Sequence, residues 1–310
     1  MLKTARFKSN MQRLQSCWIK NKYVYLMLLP VVIYYLVFYY APMYGVIIAF
    51  KDFTPSQGIW ASPWVGLNWF KDFFNSFYSW RIIRNTFLIN FYDVLFGFPA
   101  PIILALFLNE LTSEKFKRWA QTVSYMPHFI SVVVTVGLVL NFTAQDGLFN
   151  SLITMFGGAP IAFMTDPRWF RTIYVGSGIW QSLGWGSIIY LAALTNIDPT
   201  LYEAATVDGA GRWNKLFHIT LPGIAPVIII MLILRVGTMM AIGYEKIILM
   251  YNPMLYETAD VISTFVYRKG LLQMNYSFSA AVDLFNSLIN FILLVSVNQI
   301  SKKLQSTSLW

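Results

Sequence analysis

Long runs of apolar residues, separated by short polar stretches, set the character of this chain. A membrane-spanning helix needs about 20 mainly apolar residues, because each advances ~1.5 Å across a hydrocarbon core of ~30 Å. Six stretches meet that need: about Tyr23 to Phe50, Thr86 to Leu108, Ala120 to Phe142, Thr172 to Thr195, Pro222 to Tyr244 and Ser277 to Gln299. The first carries no charge and the second carries one, Asp93. The pattern predicts an all-α, polytopic membrane protein with about six transmembrane helices. A basic segment over 1–22 precedes a membrane domain over 23–299, and a short tail over 300–310 follows it.

Composition narrows the class further. Of 310 residues, 57% are hydrophobic and 12% charged, about half the charged share of a soluble domain. Mean hydropathy is +0.54. A water-facing surface cannot be covered with so few charges, which excludes an ordinary soluble enzyme, a disordered chain and a fibrous repeat. The aromatic share of 17% suits interfacial belts. A single cysteine, Cys17, excludes a disulfide framework within the chain, and two histidines, His128 and His218, argue against a His-ligated metal centre. The net charge of +9 is scattered at the ends of apolar runs, so it reads as membrane orientation and not as a nucleic-acid face.

Orientation follows from lysine and arginine. With the N-terminus inside, the inner pieces hold Lys3, Arg6, Lys8, Arg13, Lys20, Lys22, Lys115, Lys117, Arg118, Arg212, Lys215, Lys302 and Lys303, thirteen in all. The outer pieces hold eight: Lys51, Lys71, Arg81, Arg84, Arg168, Arg171, Arg268 and Lys269. The positive-inside rule therefore puts both termini in the cytoplasm. The first apolar run is too long for a signal peptide's h-region and no small-x-small site follows it, so it reads as an uncleaved span. Two outer segments stand out. Residues 52–80 carry Trp60, Trp64, Trp69 and Trp80, which suit the headgroup level, and 146–171 are punctuated by Gly157, Gly158, Pro160 and Pro167.

The longest inner loop, 198–222, carries the most information. Asp198-Pro199 ends the fourth span, since the residue before proline is pushed out of the helical region. Thr200 with Glu203 is a capping-box pattern, so a short helix starts there. Ala204 and Ala205 are small helix formers that let another surface come close. Gly209 and Gly211 permit a turn. An amphipathic turn follows, with Trp213, Leu216 and Phe217 apolar and Arg212, Asn214 and Lys215 polar, and Leu221-Pro222 opens the fifth span. These features describe either a docking surface or a plain connector lying on lipid.

At this loop the sequence resembles a known family. Glu203-Ala204-Ala205, Asp208-Gly209-Ala210, Ile219, Leu221-Pro222 and Pro226 match the EAA loop of ABC-importer permeases. Trp64-Val-Gly-Leu-Asn-Trp-Phe70, Tyr125-Met-Pro127 and Asp146-Gly-Leu-Phe-Asn150 are similar to its oligosaccharide branch. The tail from Tyr244 to Trp310 looks like permeases that work with lipoprotein sugar-binding partners in Gram-positive bacteria. The resemblance implies a type I importer permease fold in the bacterial cytoplasmic membrane. It implies that the loop is a coupling helix seated in a groove of an ATPase subunit. Glu203, Ala204, Ala205, Asp208, Gly209 and Ala210 would form that contact, with Gly211, Arg212, Leu221 and Pro222 completing the loop. The partners it implies are a second homologous permease, two ATPase subunits, an extracytoplasmic solute-binding lipoprotein and an oligosaccharide. The chain has no phosphate-cradling Gly-x-x-x-x-Gly-Lys-Ser/Thr sequence, so ATP and Mg belong to the ATPase and this chain binds no cofactor.

Ionisable groups inside spans usually face a partner or a watery cavity. Thr86, Asn90, Asp93 and Gly97 share one face of the second span, and Asp283, Asn286 and Asn290 one face of the sixth. Arg235 lies near the middle of the fifth stretch, with Glu245 and Lys246 at its outer end. Two readings stand side by side. These groups line a hydrophilic path for sugar hydroxyls, with Trp180, Trp185 and Tyr190 stacking on sugar rings, or Arg235 is neutralised by Asp93 or Asp283 while the aromatics pack or face lipid. Gly178, Ser182 and Gly186, four apart, suit a close helix contact with a second chain or within this one. Rival functions are a permease for a non-sugar solute, a membrane-embedded enzyme and a passive channel. The enzyme lacks a catalytic constellation, and the channel has no use for a docking loop.

Overall fold

The computed structural model describes residues 20–305. The basic residues before Lys20 and the last five residues, including Ser308-Leu309-Trp310, lie outside them. The described chain is almost entirely helical, with one isolated β-bridge, Lys51 to Trp64. It divides into two compact units at Gly66/Leu67.

The first unit holds α1 (Lys22–Phe50) and a short helix, α2 (Gly58–Ala61). The segment after α1 folds back on its end. Lys51 donates from Nζ to the carbonyls of Ile59 and Trp60 at 2.8 and 3.0 Å, and Phe50 stacks on Trp64.

The second unit contains α3 (Asn68–Asn75), α4 (Ser79–Glu110), α5 (Glu114–Tyr125), α6 (Val132–Thr143) and α7 (Leu148–Met155). It continues with α8 (Pro167–Thr195), α9 (Pro199–Val207), α10 (Arg212–Gly237), α11 (Tyr244–Met250), α12 (Tyr256–Ala259), α13 (Ile262–Val266) and α14 (Tyr276–Gln305). Across the described residues, five helical stretches are long and apolar enough to cross a membrane: Lys22–Phe50, Ser79–Glu110, Val132–Met155, Arg212–Gly237 and Tyr276–Lys303. α8, the sixth, has 29 residues and so ~44 Å of length, but it is less apolar. It sits among α4, α5, α6, α10 and α12. A helix surrounded by protein can carry the small and polar residues that a lipid-facing one cannot.

Three prolines explain three of the irregular turns in these helices. Wide π-turns occupy Leu36–Tyr40, Asp93–Gly97 and Leu216–Thr220, each ending two residues before a proline: Pro42, Pro99 and Pro222. Proline lacks an N–H and crowds the carbonyl four residues back. Widening the turn relieves the clash, and the preceding residue then bonds five back, as Phe98 N–H does to Asp93 O at 3.1 Å.

Several boundaries differ from the sequence reading. The third stretch does not run as one helix from Ala120 to Phe142. α5 ends at Tyr125, a 3-10 turn spans Met126–Phe129 around Pro127, and α6 restarts behind the Ser131 cap. The fifth helix starts ten residues before Pro222, at Arg212, and stops at Gly237 instead of Tyr244. Arg235 is therefore close to a helix end and not mid-span. The tightest approach onto α8 falls at Gly184, where a Cβ would lie 2.1 Å from Ser124 O of α5. Of the small residues four apart, Gly186 meets Pro101 of α4 and Gly178 meets Lys246, while Ser182 bonds its own helix at Gly178 O.

The Asp146-to-Asn150 motif has a local cause. A Cβ on Gly147 would lie 2.3 Å from Asn141 O, so only glycine passes there. Asn150 Nδ2 donates to Ala144 O and Ile161 O, each at 2.9 Å, and its Oδ1 accepts from Ile161 N–H, pinning the loop beyond α7.

Candidate functional site: a paired cavity and a loop joined by α10

At one end of α10 lies the 198–222 loop. The N-cap of α9 is Asp198 and not Thr200: Asp198 Oδ1 accepts from Thr200 N–H at 2.9 Å, with Pro199 in the first turn. The backbone and hydroxyl hydrogen bonds from Thr200 hold the Asp198 carboxyl below the usual carboxylate range. Asp208-Gly209-Ala210 is the stop signal of α9. Gly209 takes φ +75°, and Ala210 N–H bonds back to Ala205 O at 2.8 Å, a left-handed helix cap. Gly211 has φ −70°, so no backbone demand selects glycine there.

Two side-chain bonds fasten α9 to the head of α10. Tyr202 Oη and Thr220 Oγ1 are 3.0 Å apart, and Lys215 Nζ donates to Thr206 Oγ1 at 2.7 Å. Ile197, at the end of α8, packs where a Cβ on Gly223 would be, 2.8 Å away. The outward face is open: Glu203, Ala204, Asp208, Gly209 and Arg212 are exposed, and Val207 is 88% exposed. Trp213 and Phe217, also exposed, stack on each other.

At the other end of α10, Arg235 forms an ion pair with Asp93, the first residue of the π-turn in α4. Gly97 makes room for that carboxylate, since a Cβ there would lie 2.9 Å from Asp93 Oδ1. The pair lines a half-polar cavity of about 310 Å³ with Asn90, Gln181, Ser182 and Lys246. Lys246 Nζ donates to Tyr174 O at 2.9 Å and lies 4.6 Å from the centre of its ring. Burial pushes the Lys246 ammonium down to about 8. Asn90 donates to Thr86 O in its own helix, and Gln181 Nε2 donates to Ile130 O.

Of the residues singled out from sequence, this cavity gathers Asn90, Asp93 and Arg235. The others stand apart from its lining. Trp180 lines an apolar cavity of about 460 Å³ between α6, α7 and α8. Trp185 stacks on His128, with ring centres 4.7 Å apart. Tyr190 is buried in the cluster with Ile102, Leu194 and Ile224. Asn286 Nδ2 donates to Met240 O, and Asn290 Oδ1 accepts from Met240 N–H at 2.7 Å. Both amides thus satisfy main chain freed where α10 breaks. Asp283 and Glu245 are exposed, and Asp283 has no ion-pair partner among the described residues.

A polar network that the sequence reading missed lies between the starts of α4 and α8 and the 256–268 segment. Asp260, 1% exposed, pairs with Arg268 at 2.7 Å and Arg81 at 3.8 Å. Asn85 donates to the carbonyls of Glu257 and Asp260 and accepts from Arg171 Nη2 at 2.8 Å. In sequence, Arg81 and Arg171 look like ordinary charges at span ends. Only the fold reveals that they converge.

Comparison with known proteins agrees with this architecture. Residues 97–306 match the family described as binding-protein-dependent transport system inner membrane component. Protein LplB of Bacillus subtilis is 46% identical over 293 residues, 94% of this chain and 92% of that protein. The polygalacturonan/rhamnogalacturonan transport system permease protein YteP of the same organism is 43% identical, covering 96% and 92%. A crystal structure of a bacterial ABC transporter involved in the import of the acidic polysaccharide alginate contains a chain 41% identical to this one. It superposes with a TM-score of 0.88 over 94% of this chain and 99% of that one. A crystal structure of a bacterial alginate ABC transporter in complex with an alginate pentasaccharide-bound periplasmic protein also contains a chain 41% identical to this one, with a TM-score of 0.89 over 96% of this chain and 100% of that one. The helical architecture, the loop and these matches agree, and the chain belongs to the inner membrane components of binding-protein-dependent transport systems, the permeases of ABC importers.

Proposed function

We propose that this permease carries an oligosaccharide into the cell, forming one half of a translocation path that a second, homologous permease chain completes. A solute-binding lipoprotein delivers the cargo from outside, and two ATPase subunits, which hold ATP and Mg, supply the drive. Both termini and the 198–222 loop face the cytoplasm, in line with the lysine and arginine count. The chain works as a transporter and not as an enzyme, in keeping with its permease relatives.

One observation carries the coupling: α10 is bonded to α9 at its head and ion-paired through Arg235 near its far end. From Lys215 to Arg235 is ~30 Å of helix. ATPase closure pulls α9, and α10 conveys the displacement to the Asp93–Arg235 cavity. Glu203, Ala204, Ala205, Asp208, Gly209 and Ala210 form the ATPase contact, with Gly211, Arg212, Leu221 and Pro222 shaping the loop. The open outward face of α9 supports this, as does Gly211, which nothing in the chain itself requires.

The test is Ala204→Trp. Ala204 is exposed on the open face of α9. The variant is expected to insert into membranes normally, yet to lose the ATPase on purification and to lose ATP-dependent uptake. Full uptake by a correctly inserted variant would overturn the coupling assignment.

A further inference from the structure

The importer's cargo can be narrowed by counting charge along α8. Two open cavities lie against this helix. One, of about 500 Å³, is lined by Tyr92, Arg168, Arg171 and Thr172 among others, and the second is the Asp93–Arg235 cavity of about 310 Å³. Four basic side chains line them. Arg235 is offset by Asp93 and Arg168 by Asp166, at 2.7 Å. Arg171 and Lys246 have no carboxylate within 4.0 Å among the described residues.

Both cations hydrogen-bond only neutral groups, although Glu257 lies close enough to Arg171 to favour its charge. Arg171 Nη2 bonds Asn85 Oδ1, and its Nε–H is buried without an acceptor. Lys246 bonds one carbonyl, Tyr174 O, leaving donors of its ammonium unspent. A half-buried cation is costly unless a counter-charge arrives, so Arg171 and Lys246 suit contact with an anionic ligand. A guanidinium presents a planar fork that fits a carboxylate, and an ammonium accepts one as a point charge. Tyr174 and Gly178, which flank Lys246 Nζ, lie three and seven residues beyond Arg171, or ~5–10 Å along the axis. That is comparable to the spacing of neighbouring sugars in a chain.

We infer that the cargo is an acidic oligosaccharide, one bearing uronate carboxylates, with Arg171 and Lys246 as successive carboxylate contacts. This specifies the cargo of the sugar-importer reading and rests on it. Arg235 is not a third such contact, because Asp93 already occupies it.

The test uses the importer assembled in liposomes with its second permease, ATPase and binding protein. The probes are labelled trimers of galacturonate, mannuronate and guluronate, each beside its carboxyl-reduced neutral counterpart. The wild type is expected to take up at least one acidic trimer about tenfold or more faster than its neutral twin, since each carboxylate contact is a charge-assisted bond. With uptake normalised to assembled complex, Arg171→Gln and Lys246→Gln should each lower acidic uptake about tenfold and narrow that preference. Lys246→Arg should retain the preference. Neutral trimers carried as well as acidic ones, or acidic uptake unchanged in both Gln variants, would overturn the inference alone. Uptake of none of the six by a complex that hydrolyses ATP would overturn the sugar reading together with it.

Discussion

Arg235, two residues before the end of α10, is ion-paired with Asp93, which opens the π-turn of α4. The two helices therefore meet through charge at the point where each departs from regular geometry. α4 is widened there by Pro99, and α10 breaks just beyond, at Gly237. Such junctions suit a gate, because helix ends and wide turns rearrange more easily than mid-helix ladders.

Removing one member of this pair leaves the other's charge unpaired in the half-polar cavity. Asp93→Ala and Arg235→Ala are each expected to lower the yield and melting temperature of the purified permease complex. The double variant should recover part of the loss, with a coupling of about 1–3 kcal/mol. Additive losses in that double-mutant cycle would show that the pair contributes nothing jointly.

Much of this arrangement is legible in the sequence, for identifiable reasons. Charges are scarce in the apolar runs, so Asp93 and Arg235 stand out as partners with few alternatives. Length and apolarity reveal the spans, and α9 announces itself through proline, small residues and Gly209. The end of α10 is hidden, because Thr238–Gly243 is mostly apolar and reads as more helix. For the same reason Asn286 and Asn290 look like path residues, although they serve the main chain of Met240 that this break exposes. Arg171 and Lys246 are hidden differently. Near the ends of apolar runs they resemble ordinary interfacial charges, and only tertiary packing brings Asn85 onto Arg171 and Lys246 against α8.

The contact at Gly184 predicts a steric effect. Its added Cβ would meet the main chain of Ser124 and Tyr125, at 2.1 and 2.8 Å, not a flexible side chain. Gly184→Ala should destabilise the α5–α8 contact by about 1–3 kcal/mol. Thermal unfolding in nanodiscs, followed by tryptophan emission, would reveal it. The control Gly176→Ala, where a Cβ meets nothing within 4 Å, should leave the melting curve in place.

The bonds between α9 and α10 predict a defect in coupling and not in assembly. Tyr202→Phe and Lys215→Met each delete one bond worth about 1 kcal/mol. ATPase should still co-purify with either variant, while sugar moved per ATP hydrolysed falls, most in the double variant. An unchanged ratio in the double variant would mean that α9 conveys its displacement by another route.

Lys246 predicts a pH dependence of stability whose sign can be worked out. Its folded value of about 8 lies below the ordinary 10.5, so the fold disfavours the protonated form. The penalty is present in full below pH 8, fades as pH rises from about 8 towards 10.5, and is gone above that range. Tyr174 packs on the ammonium, and Asp93 and Arg235 share the cavity. The Asp93 carboxylate is tied to Arg235, which leaves desolvation of Lys246 uncompensated. The wild-type permease is therefore expected to gain thermal stability between pH 8 and 10 relative to Lys246→Met, which cannot titrate. Below pH 8 the variant should melt higher by a constant margin. Parallel melting curves across the whole range would place the lysine in contact with water and remove the penalty altogether.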